Sequence, residues 1–171
     1  ILGAAALRLR GYEVIVASLE AEGGRKDKLL AEAGIRYVCI KSSSISEVTR
    51  GADAQDVVID ASGSEMAVPS AIEALAPGGI CILASVTRGS RPITLDIATV
   101  NRNIVLGNRV ILGTVKAGRR HFEMAIRDLE TIEGRRPGWL ANLVTRRLPF
   151  EEALTDMTRA PEEIKPVLTF S

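Results

Sequence analysis

Apolar residues along the chain are arranged in short runs that are separated by longer amphipathic stretches. The runs have the length and the β-branched composition of buried strands, and they cover residues 12–17, 37–40, 56–60 and 80–84. Stretches with helical or turn-forming composition lie between them, at residues 1–10, 25–33, 46–50 and 65–75. Continuous apolar strands that alternate with helices predict an α/β fold, in which a doubly wound parallel sheet is covered by helices on both faces.

The pattern changes after residue 84. Alternating residues over 93–97 predict an edge strand, and an amphipathic stretch over 118–132 predicts a long helix. Other elements are expected as a helix over 99–108, a strand over 109–115, a helix over 137–144 that begins with Pro137, a strand over 145–148, a helix over 149–157 and a strand over 167–170. These shorter elements indicate an α+β extension that follows the sheet.

Composition narrows the range of partners. The chain has 171 residues, of which 46% are hydrophobic, and this is enough for a substantial core. A formal net charge of +1 and an aromatic content of 4% give no electrostatic or stacking basis for binding nucleic acid or a membrane surface. Cys39 and Cys81 lie within apolar runs, so we interpret them as small buried hydrophobes. The lack of a disulfide framework favours a cytoplasmic protein.

Small residues follow the predicted strands, at the positions where open α/β sheets bind ligands. They form the segments Ala-Ser-Gly-Ser at 61–64 and Ala-Ser-Val at 84–86. Small side chains let a flat ligand approach the backbone, although the same residues also suit tight turns, and Ser64 is a good helix N-cap. The phosphate-binding fingerprint G-x-G-x-x-G is absent from the chain.

Longer stretches of sequence carry a family resemblance. They are LRLRGYEVIV at 7–16, DVVIDASGS at 56–64 with AIEALAPGGICIL at 71–83, NIVLGNRVILGTVKAGRRHFEMAIRDL at 103–129, and PGWLANLVTRRLPFEEAL at 137–154 with EIKPVLTF at 163–170. In their order and spacing the chain resembles the medium-chain, zinc-type dehydrogenase superfamily, and most of all the archaeal-type glucose dehydrogenases.

The resemblance implies a Rossmann domain over residues 1–116 and a C-terminal segment over 117–171 that returns to a catalytic domain. It also implies that the first strand, the glycine-rich loop and a catalytic domain with its zinc ligands lie before Ile1. The parent enzyme would then transfer hydride between C1 of a sugar, or another alcohol, and NADP or NAD. We expect this chain to bind and orient the cofactor, to hold no catalytic or metal-binding residue, and to form a homodimer or homotetramer.

The resemblance places the adenosine ribose at the end of the second Rossmann strand, where Ser18 stands. A serine lacks the carboxylate that would repel a 2′-phosphate, and Arg25 and Lys26 follow as possible phosphate partners. We therefore favour NADP over NAD, although the negative charge of Glu20 favours NAD. Arg25 and Lys26 also fit a solvated first helical turn.

Further cofactor contacts are implied at the other strand ends. They comprise Ser62 and Gly63 on the adenine–ribose side, Ala84 and Val86 around the nicotinamide, Thr114, Val115 and Lys116 at its carboxamide, and Lys165 near the phosphates. Family members usually have Asn where this chain has Lys116, which makes a side-chain contact to nicotinamide doubtful. Lys165 also fits an ordinary surface position.

Two conspicuous side chains are interpreted as structural. His121 is expected on a helix surface, and Trp139 is expected to pack against the catalytic domain. Two other functions stay open at this point: a nucleotide-binding module without redox activity, and another Rossmann enzyme such as a methyltransferase.

Overall fold

A computed structural model describes residues 1–41, 45, 54–87, 89, 92–153, 158, 160 and 163–170. The chain divides into two compact units. The first combines Ile1–Cys39 with Gly118–Ser171, and the second spans Ile40–Ala117. The functional division proposed at residues 116 and 117 stays a prediction.

The described chain contains seven helices and seven strands with defined bounds. The first unit begins with α1 (Leu2–Leu9), β1 (Ile15–Ser18), α2 (Arg25–Glu32) and β2 (Arg36–Cys39). The second unit contains β3 (Gln55–Asp60), α3 (Ala67–Glu73), β4 (Leu75–Leu83), α4 (Ile97–Leu106) and β5 (Val110–Gly113). The chain returns to the first unit with α5 (Arg119–Arg135), α6 (Trp139–Leu143), β6 (Val144–Pro149), α7 (Phe150–Ala153) and β7 (Lys165–Thr169).

The strands pair in parallel within each unit. In the first unit β1 pairs with β2, and β6 pairs with β7. In the second unit β4 lies between β3 and β5. The register aligns the strand ends, since Asp60 is opposite Leu83, and Leu83 is opposite Gly113. The predicted α/β fold with parallel strands is confirmed.

The core of the first unit lies between its helices and β1–β2. Trp139 is 3% exposed there, and its indole Nε1 donates a hydrogen bond of 2.9 Å to the carbonyl of Leu29. Other buried members of this core are Ala5, Leu30, Ala33, Ile35, Tyr37, Ile132 and Leu143. The expectation that Trp139 packs against another domain is therefore wrong, because the ring completes the core of its own unit.

The core of the second unit is formed by α3 and its sheet. Ala71, Leu75 and Cys81 are buried, and Val58, Leu83 and Ile111 pack against them. At Gly79 a Cβ atom would lie 2.9 Å from the carbonyl oxygen of Ala76 and 3.1 Å from that of Gln55, so β3 and β4 approach closely only because this residue is glycine.

Two local predictions need correction, and two others fall wholly or partly outside the described residues. Residues 93–97 do not form a strand, because Asp96 caps α4 by accepting the Thr99 N–H at 3.1 Å. Pro137 is not the first residue of a helix, since Gly138, at a φ of +82°, is the N-cap of α6. The element expected at 46–50, and residues 154–157 of the helix expected over 149–157, lie outside the described residues.

Candidate functional site

The carboxyl edge of the three-stranded sheet brings predicted site residues together. Beyond the last strand residues, the Ala84 N–H donates to the Asp60 carbonyl at 2.8 Å and the Thr114 N–H donates to the Leu83 carbonyl at 3.0 Å. These bonds extend the parallel pairing by one step. The loops that follow β3, β4 and β5 therefore start side by side.

A buried carboxylate organises the loop after β3. Asp60 is 6% exposed, and its Oδ1 accepts the N–H of Ser62 at 2.9 Å and the hydroxyl of Ser62 at 2.7 Å. The same Ser62 oxygen accepts the N–H of Ser64 at 3.1 Å. The hydroxyl proton and the N–H of Ser62 are therefore both directed to Asp60, which leaves at most one lone pair of the hydroxyl oxygen for a ligand.

Gly63 connects this loop to the next one. Its N–H donates to Ser85 Oγ at 2.7 Å, and its φ of +70° lies in the left-handed region that favours glycine. A Cβ atom at this position would lie 3.1 Å from the carbonyl oxygen of Val86. Gly63 is thus needed both for its backbone conformation and for the close approach of the two loops.

Apart from Lys116, the side chains along this edge are small or apolar. Val86 is 76% exposed and Val115 is 84% exposed, and Thr114 and Lys116 are also exposed. Lys116 is the one charged residue within the segments 61–64, 84–86 and 114–116. The edge therefore offers backbone groups and apolar contact surface with little charge.

The end of β1 in the first unit has a different character. Ser18 is half-buried and its side chain hydrogen-bonds with that of Tyr37 on β2. The Tyr37 hydroxyl donates to the carbonyl of Glu20 at 2.8 Å. Burial raises the pKa of Tyr37 above its ordinary value, and the hydrogen bond with Ser18 opposes part of this rise.

The two predicted phosphate partners, Arg25 and Lys26, both have partners within the unit. Lys26 Nζ forms an ion pair with Glu20 Oε1. Arg25 is exposed, and its Nη2 donates to the carbonyl of Asn142 at 2.9 Å. The charge of Lys26 is thus offset locally, whereas the charge of Arg25 faces a neutral acceptor.

Lys165 and His121 lie elsewhere in the first unit. Lys165 is the exposed first residue of β7, and its N–H donates to Thr145 Oγ1 at 3.2 Å. His121 Nδ1 accepts the N–H of Gly118 at 3.0 Å, so it caps the start of α5. This placement agrees with the structural role expected for His121.

Clusters of potential metal ligands and membrane-spanning helices are both absent from the described residues. Among those residues there is no group of three or more His, Cys, Asp or Glu side chains that could hold a metal ion. Their helices likewise lack the combined length and apolar character that crossing a membrane requires.

Three residues outside the predicted set fix candidate positions within their own units. Asp60 and Ser85 fix the loop at 61–64, and Tyr37 links Ser18 to Glu20. Asp60 could have been singled out, because an acidic residue that ends an apolar strand must find partners when it is buried. Tyr37 carries no comparable local signal, and Ser85 stands out only as one of the small residues at 84–86.

Sequence comparisons relate the whole chain to one group of proteins. A family model described as "Glucose dehydrogenase C-terminus" matches residues 1–170. Glucose 1-dehydrogenase 1 of Caldivirga maquilingensis is 31% identical over 168 residues, which are 98% of this chain and 46% of that protein. Glucose 1-dehydrogenase of Methanocella arvoryzae is 29% identical over 165 residues, or 96% of this chain and 46% of that protein. The chain thus spans about half the length of the curated relatives it matches.

Structural comparison supports the same fold. Glucose dehydrogenase of Haloferax mediterranei, solved in complex with NADP, Zn and gluconolactone, superposes with a TM-score of 0.88 at 22% identity. The match covers 99% of this chain and 47% of that one. At this level of identity the likeness shows a shared fold.

Proposed function

Because the chain belongs to the glucose dehydrogenase C-terminus family, we propose that it is the cofactor-binding portion of an NADP- or NAD-dependent dehydrogenase that oxidises an aldose such as glucose at C1. The resemblance to medium-chain dehydrogenases that the sequence indicated is confirmed by this match. The observation that carries the functional proposal is the carboxyl edge of β3–β5, where backbone groups and apolar side chains predominate and Gly63 is held in a left-handed conformation.

The residues of this edge fit a dinucleotide. Ala84 and Val86 offer apolar contact for a nicotinamide ring, and the backbone of Thr114, Val115 and Lys116 offers donors and acceptors for its carboxamide. Gly63 supports this fit, since a Cβ atom would fill the narrow space before the Val86 carbonyl. Bound nicotinamide supplies the hydride acceptor. The protein residues orient the ring and exclude water from its face.

The end of β1 is proposed to receive the adenosine ribose. Ser18 places a hydroxyl there instead of a carboxylate, which favours NADP, and exposed Arg25 supplies positive charge. Lys26 contributes less than the sequence suggested, because Glu20 offsets its charge. Lys165 is kept as a proposed phosphate partner on its exposure at the start of β7.

The described residues contain no cluster of side chains that could hold zinc. No step of the reaction is therefore assigned to a metal held by this chain. The H. mediterranei relative was solved with both NADP and Zn. We propose that the zinc ligands of the intact enzyme lie outside residues 1–171, in keeping with the greater length of the relatives.

The test uses the intact gene product. NADPH fluorescence should change saturably on titration, and glucose should reduce NADP faster than it reduces NAD. A lack of saturable binding below about millimolar cofactor would remove the dinucleotide proposal. Saturable binding without reduction by any aldose, polyol or alcohol would instead favour a nucleotide-binding module without redox activity.

A homodimer or homotetramer and a cytoplasmic location remain part of the proposal. Neither follows from the contacts within the described residues. Light scattering on the purified intact protein would measure the first, and cell fractionation would determine the second.

A further inference from the structure

The loop 61–64 has two side-chain anchors of different origin. Asp60, on the strand that leads into the loop, binds Ser62 through its N–H and its hydroxyl. Ser85, which follows the neighbouring strand β4, accepts the Gly63 N–H at 2.7 Å. The second anchor therefore connects the two loops that the proposed function places against the cofactor.

Backbone pairing alone does not fix Gly63. The bond from the Ala84 N–H to the Asp60 carbonyl keeps the two strand ends adjacent, and it involves no side chain. Beyond that bond, Gly63 turns into the left-handed region at a φ of +70°. Glycine has access to a wide range of backbone conformations, so it stays in one place only when a partner holds it. The hydroxyl of Ser85 is that partner.

We propose that Ser85 is a positioning residue for the cofactor: its hydroxyl holds Gly63, and with it the loop 61–64, in the conformation that receives the dinucleotide. This inference rests on the proposed function. Ser85 itself need not touch the ligand, because its oxygen already accepts the Gly63 N–H. Its effect is to raise the fraction of molecules whose loop is ready to bind.

This mechanism predicts a particular kinetic signature. When only a fraction of the molecules is competent to bind, the apparent affinity falls by that fraction, and saturating ligand restores the competent state. Removal of one hydrogen bond of ordinary strength corresponds to about a 5- to 10-fold loss of affinity. Ser85→Ala should therefore raise the KM for NADP by about 5- to 10-fold and leave kcat within about 2-fold of the parent value.

Graded variants separate positioning from a general structural role. Ser85→Thr keeps a hydroxyl on the same carbon and should restore most of the parent KM. Ser85→Cys keeps the size but offers a weaker acceptor, so its KM should lie between those of the parent and Ser85→Ala. Should the alanine variant fail to fold, the comparison of cysteine with serine still tests the proposal.

Ser70→Ala is the matched control. Ser70 lies on α3 in the same unit, and its hydroxyl also makes one backbone bond, to the Met66 carbonyl at 3.1 Å. This variant should leave the KM for NADP unchanged. An unchanged KM in Ser85→Ala, or an equal rise in the threonine variant, would overturn the inference about Ser85. Failure of the parent protein to bind NADPH would instead overturn the proposed function, so the two failures are distinguishable.

Discussion

The end of β1 and the carboxyl edge of β3–β5 both present groups to a ligand beyond the end of a parallel strand. The two regions differ in the kind of group that they present. At β1 the groups are charged or polar side chains: Lys26 pairs with Glu20, and Tyr37 hydrogen-bonds with Ser18 and with the Glu20 carbonyl. At the edge of β3–β5 the groups are mostly backbone, held by Asp60 and Ser85. The first arrangement can discriminate between ligands by their charge, and the second by their shape.

This difference determines how each region should respond to substitution. A site built from backbone tolerates changes of exposed side chains but not a change of backbone conformation. A site built from charged side chains should change its preference between ligands more readily than its overall affinity. Three substitutions test this contrast.

The largest effect is expected from Gly63→Ala. An alanine in the left-handed region costs about 1–2 kcal/mol, and its Cβ would also lie 3.1 Å from the Val86 carbonyl oxygen. We expect the loop to move, NADPH affinity to fall by roughly tenfold or more, and thermal stability to decrease. Fluorescence titration and thermal unfolding measure the two effects.

Gly134→Ala serves as the control for this substitution. Gly134 lies within α5, and a Cβ atom there would meet nothing within 4 Å. Alanine should stabilise the helix by about 0.5–1 kcal/mol and leave cofactor affinity unchanged. If Gly63→Ala were as harmless as this control, the claim that the sheet edge depends on backbone shape would fail.

The contrast also explains what could be predicted from the sequence. Apolar runs revealed the strands, so the positions of Ser18, Ser62 and Ala84 at strand ends followed directly. The bond between Gly63 and Ser85 joins residues 22 positions apart, and no local pattern encodes it. Local patterns can also mislead, because the alternation at 93–97 resembles a strand although its polar residue Asp96 is a helix cap.

Ser18→Asp should have the second largest effect. A carboxylate at the end of β1 would repel a 2′-phosphate and accept hydrogen bonds from a free ribose. It would also add to the charge of Glu20, which Lys26 already offsets. We expect the ratio of kcat/KM for NADP to that for NAD to fall by about tenfold. Ser18→Ala, which adds no charge, should change this ratio little, and an unchanged ratio in Ser18→Asp would contradict the placement of the ribose at β1.

The smallest effect concerns the pH dependence of folding stability to which Tyr37, at the end of β1, contributes. Burial raises the pKa of its hydroxyl in the folded protein, so the folded state keeps this proton to higher pH than the unfolded state. This contribution to the free energy of unfolding is fully present below the pKa of tyrosine in the unfolded state, about 10. It is lost as the pH rises through the higher pKa of Tyr37 in the folded state.

Tyr37→Phe removes this ionisation together with the bond to the Glu20 carbonyl. The variant should be about 1 kcal/mol less stable near neutral pH, and the difference from the parent should shrink above pH about 10. Urea unfolding at several pH values measures this difference, with Tyr12→Phe as the control because Tyr12 is 54% exposed. A variant as stable as the parent at every pH would mean that Tyr37 supports Ser18 and Glu20 by packing of its ring alone. The polar character attributed to the end of β1 would then rest on the Lys26–Glu20 pair.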